Sequence, residues 1–318
     1  METIKASAPG KVLLFGEHSV VYKKPALAIA INKRAYATVR KIKERKIIIR
    51  TPDLNLEHAY DNNSEYNNSP TYPIYYVAKK ILDISEYNQG LEITIKSEIP
   101  IGGGLGSSAA VSVVTAYAVS RILDLKFNKE QVSKIAYEGE KILHGTPSGI
   151  DNTISTWGGA LEFYNGKIER LNINDTPPLI IVNTKISRST KQLVEKVRQL
   201  YNRNPDIVKH IFDAMGSIAK IGKESLLKGD WERIGELMNI NQGLLASIGV
   251  SNHIIENIIG TALKNGALGG KITGAGGGGC LLILTKENNQ QNIQKMLQNQ
   301  NIEVITATIS KEGVRDEN

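Results

Sequence analysis

Three glycine-bearing segments carry the clearest chemical signal in the sequence: residues 9–18, 102–108 and 274–279. Glycine lets backbone N–H groups turn toward an anion and approach it closely, so each segment is a candidate phosphate site. None fits the P-loop pattern, because neither Gly10-Lys11 nor Gly270-Lys271 is followed by Ser or Thr. The third segment matches G-x-G-x-x-G, but the apolar run after it predicts a strand where a dinucleotide-binding fold requires a helix.

Residues 102–108 have the context that a phosphate site needs. Alternation of apolar and polar residues predicts a strand over 91–95, before the glycines, and an apolar stretch predicts a helix after them. The amino terminus of that helix would add about half a positive charge. Ser107 and Ser108 are suited to the helix start, where serine commonly serves only as a cap. We expect a phosphate-binding loop formed by Gly102, Gly103, Gly104, Leu105, Gly106, Ser107 and Ser108.

Two carboxylates farther along the chain form a second candidate. Glu140 lies on a predicted helix, and Asp151 follows a tight turn marked by Pro147 and Gly149. A phosphoryl-transfer site needs a hard oxygen ligand for Mg²⁺ and a carboxylate that accepts or positions a hydroxyl proton. These two residues could divide those tasks. On the pattern alone, the alternative is that Glu140 is only a solvated glutamate on the surface of its helix.

Three blocks of the sequence resemble, in order, the motifs of the GHMP small-molecule kinases: residues 9–18, 100–110 and 271–280. Within that superfamily, similarity is greatest to the branch that phosphorylates mevalonate, and it is carried by residues 16–22, 144–159 and 183–190. The resemblance implies ATP as co-substrate, Mg²⁺ as cofactor, and transfer of the γ-phosphoryl group to the primary C5 hydroxyl of (R)-mevalonate. It also implies an active site between two domains.

The resemblance assigns roles to individual residues. Asp151 matches the catalytic aspartate and Lys11 the active-site lysine. Ser108 and Glu140 match the Mg²⁺ ligands, and residues 102–107 match the triphosphate loop. Contacts with mevalonate are implied for Lys11, Glu17, His18, Asp151, Arg188, Thr190 and Ala275.

The elements that position these residues are predicted to form an α+β protein of two domains. Strands at 26–39 and 47–49 dominate the first fifty residues, whereas the second half is mostly helical. Pro177-Pro178 ends regular structure on both sides and separates an ATP-binding domain, residues 1–178, from residues 179–318. By resemblance this is the two-domain GHMP kinase fold, in which the first domain is like the second domain of ribosomal protein S5 and the second is ferredoxin-like.

Local signals predict further elements. Asn165-Gly166 indicates a hairpin turn, and Asn128 is suited to cap a helix. Residues 287–301 keep a helical spacing of apolar residues despite many Asn and Gln, which indicates a polar surface helix. Apolar periodicity predicts helices at 74–82, 189–201, 205–227, 231–248 and 251–265, and strands at 160–164, 167–171, 280–284 and 304–309.

Composition excludes several classes of protein. The chain has 318 residues, of which 41% are hydrophobic and one is cysteine. It is therefore too apolar for a disordered protein, and it cannot form an intramolecular disulfide or a cysteine-based zinc site. The first residues show no secretory signal, and residues 109–125 carry too many polar groups for a membrane span. We expect a protein of the reducing cytoplasm.

Net charge permits three kinds of partner. The 39 Lys and Arg against 32 Asp and Glu give +7 at pH 7, which suits nucleic acid, an anionic membrane surface or small anionic substrates. The basic stretch 40–50 alternates with isoleucines and is interpreted as the solvated face of an edge strand. We expect ATP and mevalonate as partners, no nucleic acid and no membrane. A homodimer is compatible with the sequence.

Several alternatives are left open by the residues. Homoserine kinase, galactokinase and mevalonate 3-kinase activities would share the glycine loops, and a non-catalytic sensor could bind ATP or substrate. An S5-like fold also occurs in the ribosome, so RNA binding is a third alternative. Without the resemblance, the sequence favours a structural hydrogen bond as the role of His18. For Arg188 it allows an ion pair with a nearby acidic residue.

Overall fold

A computed structural model describes residues 2–61, 64, 68–85, 87–100, 102–144, 147–173, 177–186 and 189–317. The strands, in chain order, are β1 (Thr3–Phe15), β2 (Ala26–Ile42), β3 (Ile47–Thr51), β4 (Leu56–Tyr60), β5 (Gly90–Ser97), β6 (Ala160–Tyr164), β7 (Lys167–Leu171), β8 (Leu179–Asn183), β9 (Gly269–Ile272), β10 (Cys280–Leu284), β11 (Glu303–Ala307) and β12 (Arg315–Asp316).

The helices are α1 (Tyr72–Ser85), α2 (Ser107–Ile122), α3 (Lys129–His144), α4 (Ile150–Trp157), α5 (Thr190–Arg203), α6 (Pro205–Lys228), α7 (Trp231–Ser247), α8 (His253–Lys264) and α9 (Gln290–Gln298). Short 3₁₀ turns occupy Ser19–Tyr22, Pro52–Leu54 and Glu287–Asn289. Among the described residues, no helix is long and apolar enough to cross a membrane.

The first sheet has the order β12-β1-β2-β5-β3-β4, and β6 pairs with both β2 and β7. The long antiparallel pair β1–β2 forms its centre, with a register shift between Pro9 and Gly10. Such a shift bends a strand and re-aims its side chains. Because β2 is 17 residues long, its first part pairs with β6 and its last part with β5. Helix α2 packs on β1 and β2, which places the start of α2 beside β1.

The second sheet has the order β11-β8-β10-β9, and all of its pairs are antiparallel. Every residue of β10 is buried, as expected for an apolar central strand. One apolar cluster extends through both halves of the chain, since it includes Val12 and Leu14 of β1 together with Leu282 of β10 and Leu237 of α7. The two sheets therefore share a core.

Residues 309–317, here called the returning segment, leave the second sheet and rejoin the first. Ile309 forms a bridge with Ile31 of β2, and β12 pairs antiparallel with β1. The division of the chain at residue 178 stays a prediction, and the returning segment is a part of the second half that lies on the first sheet.

The mixed α and β content and the predicted elements are confirmed, with ends that differ by a few residues. Asn165 and Gly166 have φ of 51° and 75°, as a type I′ hairpin turn requires. Asn128 caps α3, because its Oδ1 accepts the Gln131 N–H at 2.9 Å and the Gln131 Oε1 accepts the Asn128 N–H at 2.9 Å. The predicted end of α3 at Gly145 and most of the predicted loop at 61–70 lie outside the described residues.

One local prediction is wrong. The basic stretch 40–50 does not belong to an edge strand, because β3 lies between β5 and β4. Arg40 and Arg50 both pair with Glu92 of β5 instead. The helix start expected at Ser107 or Ser108 is confirmed, because α2 begins at Ser107; its N-cap is Gly106, with φ 71° and no side-chain hydrogen bond.

Candidate active site

A cavity of about 540 Å³ lies at the amino end of α2. It combines polar groups with a set of apolar side chains, which suits a ligand that has a charged part and an apolar part. Its charged, hydroxyl and small-residue lining includes Lys11, Gly102, Gly104, Gly106, Ser107, Ser108, Asp151, Thr190, Gly274 and Ala275. Its apolar lining includes Leu54, Pro70, Pro73, Ile74, Ile95, Leu105, Val111 and Leu143.

The glycine loop, residues 102–108, has the backbone that its sequence predicts. Gly102, Gly104 and Gly106 have φ between 71° and 79°, a backbone conformation that residues other than glycine rarely adopt. Leu105 is buried, and its carbonyl oxygen accepts the Lys11 N–H at 2.8 Å. The loop is therefore fixed to β1, and the first N–H groups of α2 face the cavity with the positive end of the helix dipole.

Gly103 differs from the other loop glycines. It is not among the cavity-lining residues of the described chain, and a Cβ at this position would lie 2.6 Å from the Cys280 Sγ. Gly103 is thus the point where the glycine loop packs on the second sheet. Cys280 is the first residue of β10 and is buried.

Lys11 and Asp151 meet in the cavity, although one comes from β1 and the other from α4. The Lys11 Nζ lies 3.2 Å from the Asp151 Oδ1. Lys11 is buried, whereas the Asp151 side chain is 36% exposed and so accessible from the cavity. Gly149, with φ 81°, precedes α4 as its N-cap and turns the chain so that Asp151 lies in the first helical turn.

Glu140 of α3 and Ser108 of α2 lie together beneath the glycine loop. The Ser108 hydroxyl donates to the Glu140 Oε2 at 3.3 Å. Glu140 is 3% exposed, and burial, followed by repulsion from Asp151, raises its pKa to about 7. The Ser108 hydrogen bond and the Lys11 charge oppose that increase in pKa.

The donor set fits Mg²⁺. A carboxylate and a hydroxyl oxygen are hard ligands, and Mg²⁺ keeps several waters and takes further oxygens from substrate phosphates. Within the described part of the chain, no cluster of three or more His, Cys, Asp or Glu side chains could form an all-protein metal cage. The site therefore fits a cation shared with a phosphate ligand.

Glu17 and His18 lie behind the cavity wall, and neither is among its described lining residues. The Glu17 carboxylate is fully buried in an ion pair with Lys271 of β9, and it accepts a hydrogen bond from the Asn241 amide at 3.3 Å. His18 has φ 58°, and its Nε2 lies 2.8 Å from the Ala275 carbonyl oxygen. His18 thus supports Ala275, which does line the cavity.

Thr190 is the first residue of α5 and lines the cavity. The preceding Ser189 caps the helix by accepting the Gln192 N–H, which fixes where α5 begins. Arg188 lies outside the described residues, so its contact with substrate stays a prediction.

Sequence reasoning missed Lys271, Asn241 and Thr273. The Thr273 hydroxyl exchanges hydrogen bonds with the backbone N–H and carbonyl of Leu13, at 2.9 and 3.1 Å. Together with the Glu17–Lys271 pair, this joins the end of β1 to the third glycine segment. A signal existed at Lys271, which is a single charged residue in a short buried strand, and buried lysines require a partner.

The chain is similar to known proteins over nearly its whole length. The model of the GHMP kinases N terminal domain matches residues 73–159, and that described as GHMP kinases C terminal matches residues 223–303. The mevalonate kinase of Pyrococcus furiosus is 39% identical over 98% of both chains. The crystal structure of Methanococcus jannaschii mevalonate kinase superposes with TM-score 0.88 and 28% identity, covering 97% of this chain and 99% of that one. The crystal structure of L. major mevalonate kinase in complex with R-mevalonate superposes with TM-score 0.83 and 28% identity, covering 96% of this chain and 95% of that one.

Proposed function

The chain belongs to the GHMP kinases, and we propose that it transfers the γ-phosphoryl group of ATP to the C5 hydroxyl of (R)-mevalonate by means of Lys11 and Asp151. Its activity is that of an ATP-dependent mevalonate kinase, since its similarity to such enzymes extends over nearly the full chain. The observation that carries the residue assignment is the 3.2 Å contact between Lys11 and Asp151 in the cavity beside the glycine loop.

The triphosphate is assigned to the glycine loop. Phosphoryl transfer builds up negative charge on the oxygens of the transferred group, and the site must offer N–H donors and positive charge at fixed positions. The N–H groups at the start of α2 and the Lys11 ammonium meet that requirement. The base and ribose are assigned to the apolar lining, which includes Leu54, Ile74 and Ile95.

Ser108 and Glu140 would hold Mg²⁺ next to the triphosphate. The chemistry supplied when the cation is bound there is neutralisation of charge on the phosphate oxygens. Glu140 must be ionised to act as a ligand, so its raised pKa makes the site dependent on pH near neutrality.

Asp151 is assigned as the group that accepts the proton of the C5 hydroxyl. A primary alcohol is a poor nucleophile at neutral pH, and a carboxylate within hydrogen-bond reach takes its proton as the new P–O bond forms. Lys11 would contact both Asp151 and the transferred phosphoryl group. The remaining predicted contacts with mevalonate come from Arg188, Thr190 and Ala275, with His18 and Glu17 acting from behind the wall.

The test is product identification. The protein is incubated with ATP, Mg²⁺ and, separately, mevalonate, phosphomevalonate, homoserine and galactose, and the product is identified by mass and NMR. We expect phosphate on C5 of mevalonate. Binding of ATP without any product would favour the non-catalytic sensor, and phosphate on another substrate would contradict the proposal.

The role of Asp151 is tested by Asp151→Asn, which should lower kcat by about 10²–10⁴-fold, the range for loss of a positioned base. Asp83→Asn is the matched control, since Asp83 pairs with Lys79 on the surface of α1. An Asp151→Asn enzyme within threefold of the wild type would place the base elsewhere. A homodimer and a cytoplasmic location stay predictions, which light scattering and cell fractionation would test.

A further inference from the structure

The returning segment contacts the helix that carries Asp151. The Val314 N–H donates to the carbonyl oxygen of Thr156 in the last turn of α4, at 3.2 Å. The Gly159 N–H, just beyond α4, donates to the Ser310 carbonyl at 2.7 Å, and the Ser310 N–H donates to the Ala30 carbonyl of β2 at 2.9 Å. The carboxyl end of α4 is thus held to β2 through the returning segment.

Arg34 fastens the returning segment to the first sheet. This arginine lies in the apolar strand β2 and is 4% exposed, and burial lowers its pKa. Each of its three nitrogens is engaged. Nε donates to the Ser7 hydroxyl at 2.6 Å, and the two Nη atoms donate across the segment to the Ser310 hydroxyl at 3.2 Å and to the Gly313 carbonyl at 2.5 Å. Only a guanidinium presents donors in such a fork.

Glycines allow the segment to lie directly on α4. A Cβ at Gly313 would be 2.1 Å from the Thr156 carbonyl oxygen, and a Cβ at Gly158 would be 2.4 Å from the Glu312 carbonyl carbon. Both distances are far inside van der Waals contact. The two backbones therefore touch, and α4 has no room to shift toward the segment.

We propose that Arg34 and the returning segment are positioning elements for the catalytic carboxylate, which they act on through α4. This inference rests on the proposed role of Asp151. A helix of eight residues is about 12 Å long, so a tilt of about 5° at its carboxyl end moves the first turn by about 1 Å. A displacement of about 1 Å costs as much as 10²-fold in rate where reacting groups must be aligned.

The test uses Gly313→Ala, whose added methyl would meet the Thr156 carbonyl. We expect kcat to fall about 10–100-fold while KM for ATP changes by less than about threefold, because the glycine loop is fixed to β1 through the Leu105 carbonyl oxygen and is not part of α4. Gly260→Ala is the matched control, since a Cβ at that helical position has no neighbour within 4 Å. Arg34→Lys keeps the charge but loses the fork, and it should shift kcat in the same direction.

A double-variant measurement separates positioning from general loss of stability. In an Asp151→Asn background, Gly313→Ala should reduce kcat by less than about threefold, because the carboxylate that it would displace is already absent. Equal effects of Gly313→Ala in the two backgrounds would overturn the inference. Hydrogen exchange gives a second readout, in which α4 amides should lose protection while those of α2 keep it.

The remaining outcomes are also decisive. If Gly313→Ala does not fold, Ser310→Ala removes a single Arg34 acceptor and should still lower kcat by about twofold to fivefold. Wild-type kcat in all folded variants, or loss of protection in α2 and α4 together, would overturn the inference. A wild-type protein that does not phosphorylate mevalonate would instead contradict the proposed function, which keeps the two failures distinguishable.

Discussion

Replacement of Glu140 by Gln should make the metal-free protein more stable above pH 7 and at the same time weaken its use of Mg²⁺. The carboxylate is 3% exposed, and burial together with the neighbouring Asp151 raises its pKa to about 7. The ionised form is therefore disfavoured in the folded protein. Glutamine has nearly the same size and remains neutral, so it removes that penalty along with the metal ligand.

The sign follows from proton linkage. The folded protein holds the Glu140 proton up to about pH 7, whereas the unfolded chain releases it near 4.5. Unfolding therefore releases a proton between these values, and the free energy of unfolding of the wild type falls as pH rises through this window. The difference amounts to about 1.4 kcal/mol per pH unit and to about 3 kcal/mol in total. Glu140→Gln lacks this decrease.

The measurement is urea unfolding in EDTA at pH 5, 6, 7 and 8. Relative to the wild type, Glu140→Gln should gain about 2.5 kcal/mol in free energy of unfolding between pH 5 and pH 8. The control is Glu138→Gln on the same helix, where Glu138 pairs with Lys141 at the surface and the effect should stay within about 0.5 kcal/mol. A variant that is less stable than the wild type at pH 8 would refute the reasoning. An unchanged Mg²⁺ titration of kinase activity would remove Glu140 from the metal site.

Three further variants test the site. Gly106→Val should lower ATP affinity at least tenfold and leave the circular dichroism spectrum unchanged. A Cβ at this position, where φ is 71°, would lie 2.8 Å from the Lys11 Cγ. Normal ATP affinity would contradict the assignment of the triphosphate to the glycine loop. Lys11→Met should slow turnover, and its combination with Asp151→Asn should be far less impaired than the product of the single effects; multiplicative effects would show that the two residues act separately. Gly103→Ala should lower the free energy of unfolding by about 1–3 kcal/mol through overpacking against Cys280. Adding Cys280→Ala should recover most of that loss, and urea unfolding curves of the single and double variants would show whether it does.

The glycine loop could be predicted from the sequence because its information is local. Residues 102–108 need glycine at positions with positive φ, and they stand between a strand and a helix whose periodicities are plain. The same holds for the Asn165-Gly166 turn and the Asn128 cap. Each of these features depends on a few consecutive residues.

Features that depend on non-local pairing could not be predicted in this way. Periodicity shows which face of a strand is buried but not which strand lies beside it, so β3 was expected at an edge although β4 takes that place. Lys11 and Asp151 are 3.2 Å apart because α4, which carries Asp151, packs against β1, which carries Lys11. Arg34 and Lys271 were visible as charges in apolar strands, but their partners lie far away in the chain.

The core shared by the two sheets limits how the cleft can move. Opening the halves as a hinge would expose side chains such as Val12, Leu237 and Leu282, each at about 1.5–3 kcal/mol. Exposure of three would keep the open form below about one molecule in 10³. Exchange of substrate and product must then depend on local displacement of the elements that form the cavity walls. In α5, which begins at the cavity with Thr190, the buried side chain is Val197, so displacing this part of the wall exposes less buried apolar surface than opening the shared core.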